Sequence, residues 1–261
     1  MDKDSYTLTF TTAELLCAAT ALGIVALPLP VAGPTPLTGE ALQAEINKGY
    51  ASLQKRQLIH SLSPVQWQLD NLLAVLVHWL AAPDYLLQLD SWQHSGEQQA
   101  ETVYFWQTKA VWLHSTADQH QFTFFKEGDY WLHYALEKIG PVQKPAKDDS
   151  FPLPQLNLAA FLPKVQQNPT DVDSIAIWQR AGLSSEMAQQ AVAKLAAVTR
   201  AVTLTWQNKT SQVTRRALLF FTPTGVWSGE EEDGKTIIWL RSISQDDLTN
   251  WLTFANARAT T

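Results

Sequence analysis

Apolar and threonine positions alternate over Tyr6-Thr-Leu-Thr-Phe10, which predicts a short strand. Thr11 or Thr12 can then cap a helix over residues 13–22, with Gly23 as its stop. A connector carrying Pro28, Pro30, Pro34 and Pro36 follows. A second helix is expected from Thr38 to Arg56, because Leu42, Ile46, Tyr50 and Leu53 recur at helical spacing. Ser63-Pro64-Val65-Gln66 has a cap, a proline in the first helical position and a capping-box glutamine, so a third helix is expected from there to Ala82, before Pro83. The period then changes to two. Strands are predicted over 84–92, 102–107, 110–115 and 121–126, with turns over 93–100, 108–109 and 116–120, and a helix over 127–139.

Residues 141–154 read as a linker, with prolines at both ends and Lys144, Lys147, Asp148 and Asp149 between. Beyond it, 156–165 is apolar without a clear period. Helices are expected over 171–180 and 185–199, strands over 200–207, 212–221, 225–229 and 235–241, and a last helix from Ser244 through Phe254. The two halves match in order. Leu86 to Trp92 answers Ala201 to Trp206, Val103-Tyr-Phe-Trp106 answers Leu218-Leu-Phe-Phe221, and Ala110-Val-Trp112 answers Gly225-Val-Trp227. The pattern predicts an α+β fold of two pseudo-symmetric helix-plus-antiparallel-sheet subdomains, residues 1–140 and 156–261, joined by a 141–155 linker and packed as one globule. Each half has a sheet edge that can pair within one chain or between two, so a homodimer is an allowed arrangement.

Composition narrows the function. Of 261 residues, 46% are hydrophobic and 17% charged, enough apolar side chain for a large core. The net charge of -6 repels phosphate backbones, and Arg215-Arg216, the densest basic pair, lies in an expected strand, so no nucleic-acid partner is expected. A single cysteine, Cys17, forms no intrachain disulfide and fits a reducing, cytoplasmic setting. The apolar run from Leu15 to Leu29 lacks a basic flank, contains Pro28 and is too short to span a bilayer, so it is expected as a core helix without stable membrane insertion. The 11 tryptophans suit either an aromatic core or a lined cleft.

No spacing carries chemistry. There is no glycine-rich phosphate loop and no His-Glu-x-x-His, and Gly225-Val-Trp-Ser-Gly229 is not a nucleophile elbow. The 6 histidines, His60, His78, His94, His114, His120 and His133, match no zinc pattern, so neither metal nor cofactor is expected. The acidic run from Glu230 to Asp233 reads as a solvated hairpin tip, and Cys17 as a buried apolar residue whose surroundings raise its pKa.

Several first-half segments carry a family resemblance. Leu8-Thr-Phe-Thr-Thr-Ala-Glu-Leu-Leu16, Leu22-Gly-Ile24, Leu27-Pro-Leu-Pro30, Leu53-Gln-Lys-Arg-Gln-Leu-Ile59 and Leu80-Ala-Ala-Pro-Asp84 resemble the ESX (type VII) secretion-associated EspG family, over residues 6 to 140; the second half matches in topology. The resemblance implies an EspG-like fold and a non-enzymatic cytosolic chaperone or adaptor that binds a helical client, PE/PPE-like or another secreted protein. It also implies a binding face. The loop between the second and third strands corresponds to 93–100, with Gln93, His94, Ser95, Gly96, Glu97 and Gln98, and the contacting helices to 171–180 and 185–199, with Trp178, Met187 and Gln190. Two rival functions fit the same composition: an immunity-type inhibitor, and a small-molecule binder with Trp92, Trp106, Trp112 and Trp131 as cleft walls.

Overall fold

Alternation over 5–11 and 119–125 resolves into a sheet edge. β1 (Ser5–Thr11) pairs antiparallel with β7 (Gln119–Phe125), β7 with β6 (Lys109–Ser115) and β6 with β5 (Gln98–Trp106). The computed structural model describes residues 5–25, 27, 39–63, 66–93, 98–107, 109–116, 118–125, 130–145, 150–154, 158–168, 172–209, 212–231 and 237–259. The chain divides into two compact units, Met1–Leu86 with Ala100–Trp131, and Leu87–Gln99 with Leu132–Thr261.

In the first unit, the side-chain period of two sends Phe10, Tyr104, Val111, Leu113, Phe122 and Phe124 to one sheet face. That face is covered by α1 (Thr12–Ala21), α2 (Gly39–Lys55) and α3 (Asn71–Ala81), which add Leu15, Cys17, Ile46, Leu53, Leu73, Leu76 and Leu80. Helix α1 starts where the sequence predicts it. Thr11 Oγ1 accepts the Glu14 N–H at 3.2 Å and Glu14 Oε2 accepts the Thr11 N–H at 2.9 Å, a complete capping box.

The start of α3 differs from expectation. Ser63 is not its cap. Ile59–Ser63 and Gln66–Leu69 form a two-stranded ladder, β2 and β3, that directs Ile59 and Leu69 into the core. Asp70 caps the helix instead, its carboxylate accepting the N–H groups of Leu72 at 2.9 Å and Leu73 at 3.4 Å. An ionised carboxylate at that end is a stronger acceptor than a serine hydroxyl. Pro64 and Val65 lie outside the described residues.

The second unit has strand order β4-β9-β10-β11-β12-β8: β4 (Tyr85–Gln93, from Leu87 on), β9 (Arg200–Asn208), β10 (Thr214–Thr222), β11 (Gly225–Glu231), β12 (Ile237–Ser242) and β8 (Ser150–Pro154). One face packs Leu153, Leu218, Phe220, Ile238 and Leu240 against α5 (Leu158–Gln167), α6 (Val172–Arg180) and α7 (Ser185–Ala196). α8 (Gln245–Ala259) lies on the opposite face and inserts Leu248 and Leu252. α4 (Tyr130–Ile139) buries Trp131, Ala135 and Ile139; the expected helix start at 127 lies outside the described residues.

Strand β8 occupies part of the segment that reads as a linker. Its prolines hide it from strand patterns, yet an edge strand needs no donors on its outer side. Pro152 and Pro154 lie opposite Trp239 and Ile237, and the Pro152 carbonyl accepts the Trp178 indole N–H at 2.8 Å instead of a further strand. The edge is therefore closed to strand addition at Pro152.

The tight hairpins of the two units differ in register from the sequence pairing. Trp106 lies opposite Lys109, and Thr222 opposite Gly225, so Val111 occupies the position that Trp227 occupies. Val111 and Trp227 both point to their helical cores. Trp112 points to the other face, where it meets Glu101. A one-residue offset in a strand exchanges faces, so Trp112 and Trp227 are not equivalent.

Candidate functional site

The expected binding face falls within the second unit. β4 runs to Gln93 and β5 begins at Gln98, so the strands are longer and the connection shorter than the 93–100 loop read from sequence. Gln93 is half-buried and Gln98 exposed; His94, Ser95, Gly96 and Glu97 lie outside the described residues. Trp92 packs against the same core that α6 and α7 build, and so anchors the strand end that leads into Gln93.

Helix α7 is capped by Ser184, whose Oγ accepts the Met187 N–H at 3.3 Å. It buries Ala188, Ala191, Val192 and Leu195 and presents Glu186, Gln189 and Gln190 to solvent, with Met187 half-buried at its start. Gln190 borders a shallow depression with Lys194, Thr222, Thr224 and Trp227. Trp178 is placed differently. It is 0% exposed, its indole N–H is donated to Pro152, and its ring packs on Phe161 at 5.3 Å. Its bulk seats α6 on the core, so among the described residues expected on this face Trp178 has no surface to offer. Nothing in the apolar spacing of α6 separates a buried tryptophan from an exposed one; the distant Pro152 acceptor decides it.

The four tryptophans expected as cleft walls have separate settings, Trp92 in the second unit and the other three in the first. Trp112 and Trp131 are buried, and Trp112 donates to Glu101 Oε2 at 2.8 Å. Trp106 is partly exposed and stacks on Trp79 at 5.6 Å, while Trp92 serves the α6 and α7 core. Burial pushes the Cys17 thiol up to about 11. His120 is wholly buried between Thr12 Oγ1 and Ser115 Oγ, each at 2.9 Å, and burial holds its pKa below the ordinary value. These groups fix structure; among the described residues no three His, Cys, Asp or Glu side chains converge to hold a metal.

A groove that sequence reasoning missed lies on the α8 face of the second unit. It measures about 640 Å³. Leu204, Ala217, Leu219 and Ser228 form its floor, Leu248 and Trp251 of α8 one wall, and Trp239 and Arg241 of β12 the opposite rim. Glu230 organises the α8 side. Its Oε1 accepts the Trp251 indole N–H at 2.8 Å and its Oε2 pairs with Arg215. Glu231 pairs with Arg216 at 3.2 Å. Glu230 and Glu231 are therefore the end of β11, not a hairpin tip, because the facing arginines of β10 extend the ladder; residues 232–236 lie outside the described set. Ser244 donates its N–H and hydroxyl to Asp247, which holds that carboxyl below the usual range. The alternation Ile237, Trp239, Arg241 against buried Ile238 and Leu240 is the sequence signal that puts Trp239 and Arg241 on this rim.

The mixed α+β fold is similar to one already solved. The chain aligns over 94% of its length, and 94% of the other, with Mycobacterium tuberculosis EspG5, a type VII secretion system chaperone solved in complex with the PE25-PPE41 dimer, at 11% identity and a TM-score of 0.59. Full-length peroxisomal multifunctional enzyme type 2 from Drosophila melanogaster gives a TM-score of only 0.17 at 13% identity, over 92% of this chain and 48% of that one, too low to indicate a common fold. No protein-family model and no curated protein sequence matches the chain.

Proposed function

We propose that this protein is a non-enzymatic chaperone or adaptor that holds a helical protein client in the cytoplasm. The observation that carries the proposal is the fold shared end to end with EspG5, which has a PE25-PPE41 dimer as its bound partner. No described helix is long and apolar enough to cross a membrane, which is compatible with this role. The client is PE/PPE-like or another secreted protein. It is held at the 93–98 turn and along α7, where Met187 supplies an apolar contact and Gln190 a polar one. Trp178 supports that face from beneath by fixing α6. The two halves are diverged copies of one unit: each ends in a three-strand antiparallel meander, β5–β7 or β10–β12, followed by a helix, α4 or α8.

Affinity capture of the tagged chain from its native cells, followed by reconstitution with the captured protein after purification, tests the proposal. The expected result is a helical partner that forms a stoichiometric complex by light scattering. Failure to capture and reconstitute any protein partner speaks against chaperoning.

A further inference from the structure

Helix α3 is apolar on two sides. Leu73, Leu76, Val77 and Leu80 face the core of the first unit. Leu72 and Val75 face outward, 40% and 43% exposed, and Trp79 beside them is half-buried. Spacings of three and four residues set these side chains in one stripe. Trp106, 38% exposed, stacks on Trp79 at 5.6 Å and widens the stripe. The outward face of α7, by contrast, carries Glu186, Gln189 and Gln190. A helix that is apolar all round is ordinarily covered on every side, and a contiguous exposed patch marks a contact surface.

The pattern of the stripe selects what covers it. Leu72 and Trp79 stand one heptad apart with Val75 between them, the spacing of a coiled-coil seam. Asn71 and His78, both exposed, also stand one heptad apart and flank Val75 on the other side. Among the described residues neither of their side chains makes a hydrogen bond or ion pair. One flank of the face is therefore apolar and the other polar, an arrangement that complements itself. A two-fold axis through Val75, perpendicular to the helix, reverses the helix direction and keeps each flank on its own side. Leu72 then lies about 1.5 Å along the helix direction from the partner's Trp79, and Asn71 about 1.5 Å from the partner's His78. The Asn71 amide can donate to the imidazole or accept from it, whichever ring nitrogen carries the proton. The antiparallel arrangement also sets the positive end of each helix dipole beside the negative end of the other.

We propose that two copies of this chain pair through α3, antiparallel about Val75. The patch is small for a specific interface, so a dissociation constant of about 10–100 µM is expected.

Sedimentation equilibrium of the full chain, from about 5 to about 500 µM to bracket that constant, tests the pairing without any client. The average mass should rise from that of one chain toward that of two. Val75→Arg and Val75→Glu each set like charges against each other across the axis, and each variant should stay monomeric. Mixed in equal amounts they should associate, because each position 75 then meets the opposite charge. Leu72→Lys, one turn away, should weaken pairing at least about tenfold. Thermal melting of the variants reports whether they fold. The proposal is overturned by a wild-type chain that stays monomeric at the highest concentration, by a folded Val75→Arg or Leu72→Lys chain that pairs as the wild type does, or by failure of the mixed Val75 variants to associate.

Discussion

Arg56 reaches from the end of α2 to Glu14 in α1, its Nη1 lying 2.9 Å from both carboxylate oxygens. Glu14 is almost wholly buried and also accepts from Ser52 Oγ at 2.8 Å and the Thr11 N–H at 2.9 Å. The same guanidinium donates to the Thr9 carbonyl and sits 4.8 Å above the Phe10 ring. One side chain therefore ties β1, α1 and α2 together. Arg56→Met keeps most of the packing and leaves a buried carboxylate without its counter-ion. A loss of about 2–3 kcal/mol in urea unfolding, with an unchanged m-value, is expected.

Gly49 sets how closely α1 and α2 approach. A Cβ there would lie 2.0 Å from the Ala13 carbonyl oxygen and 3.0 Å from Cys17 Cβ. Backbone cannot move aside as a flexible side chain does, so Gly49→Ala must separate the helices. More than about 3 kcal/mol of destabilisation is expected, despite the better helix propensity of alanine. A melting temperature equal to the wild type would show that the helices are farther apart than described.

His120 makes stability depend on pH. Its folded pKa is lowered from 6.5 chiefly by burial, with nearby Asp118 opposing. Below that ordinary value the unfolded chain binds a proton that the folded chain resists. The contribution is complete above pH 6.5 and is lost as pH falls towards and through the depressed folded value. The melting temperature should drop between pH 7 and pH 5, and His120→Gln should flatten that slope while costing stability at pH 7.

Stability and client binding should separate on α6 and α7. Trp178→Phe removes the bond to Pro152 and leaves its carbonyl short of a donor, for an expected cost of about 1–3 kcal/mol. Client affinity should fall only as far as unfolding accounts for. Gln190→Arg, on the exposed side of α7, should leave the unfolding free energy within about 1 kcal/mol of wild type and weaken client binding. Parallel melting and binding curves distinguish the two outcomes.

What could be read from sequence was local. The α1 capping box lies within Thr11 to Glu14, and the period of two over 110–115 is plain in the order of residues, so both elements stand where the pattern places them. The rest depends on distant partners. Ser63 has a good helix-start signature, but Ile59 needs Leu69 beside it in the core, and Asp70 takes the cap. β8 is a strand only because β12 lies beside it. Trp178 could not be assigned to core or surface without Pro152, which stands in a different element. The groove was invisible because its floor, wall and rim come from separate strands and α8.

The most direct measurement of the central claim is the affinity of the purified chain for its captured and purified client, compared across variants. Chaperoning through the turn after Gln93 and the face of α7 predicts a defined complex that is weakened at least tenfold by Met187→Arg with Gln190→Arg, and is unchanged by Glu40→Arg on the exposed start of α2. No complex at all, or equal affinity in all three proteins, would contradict it.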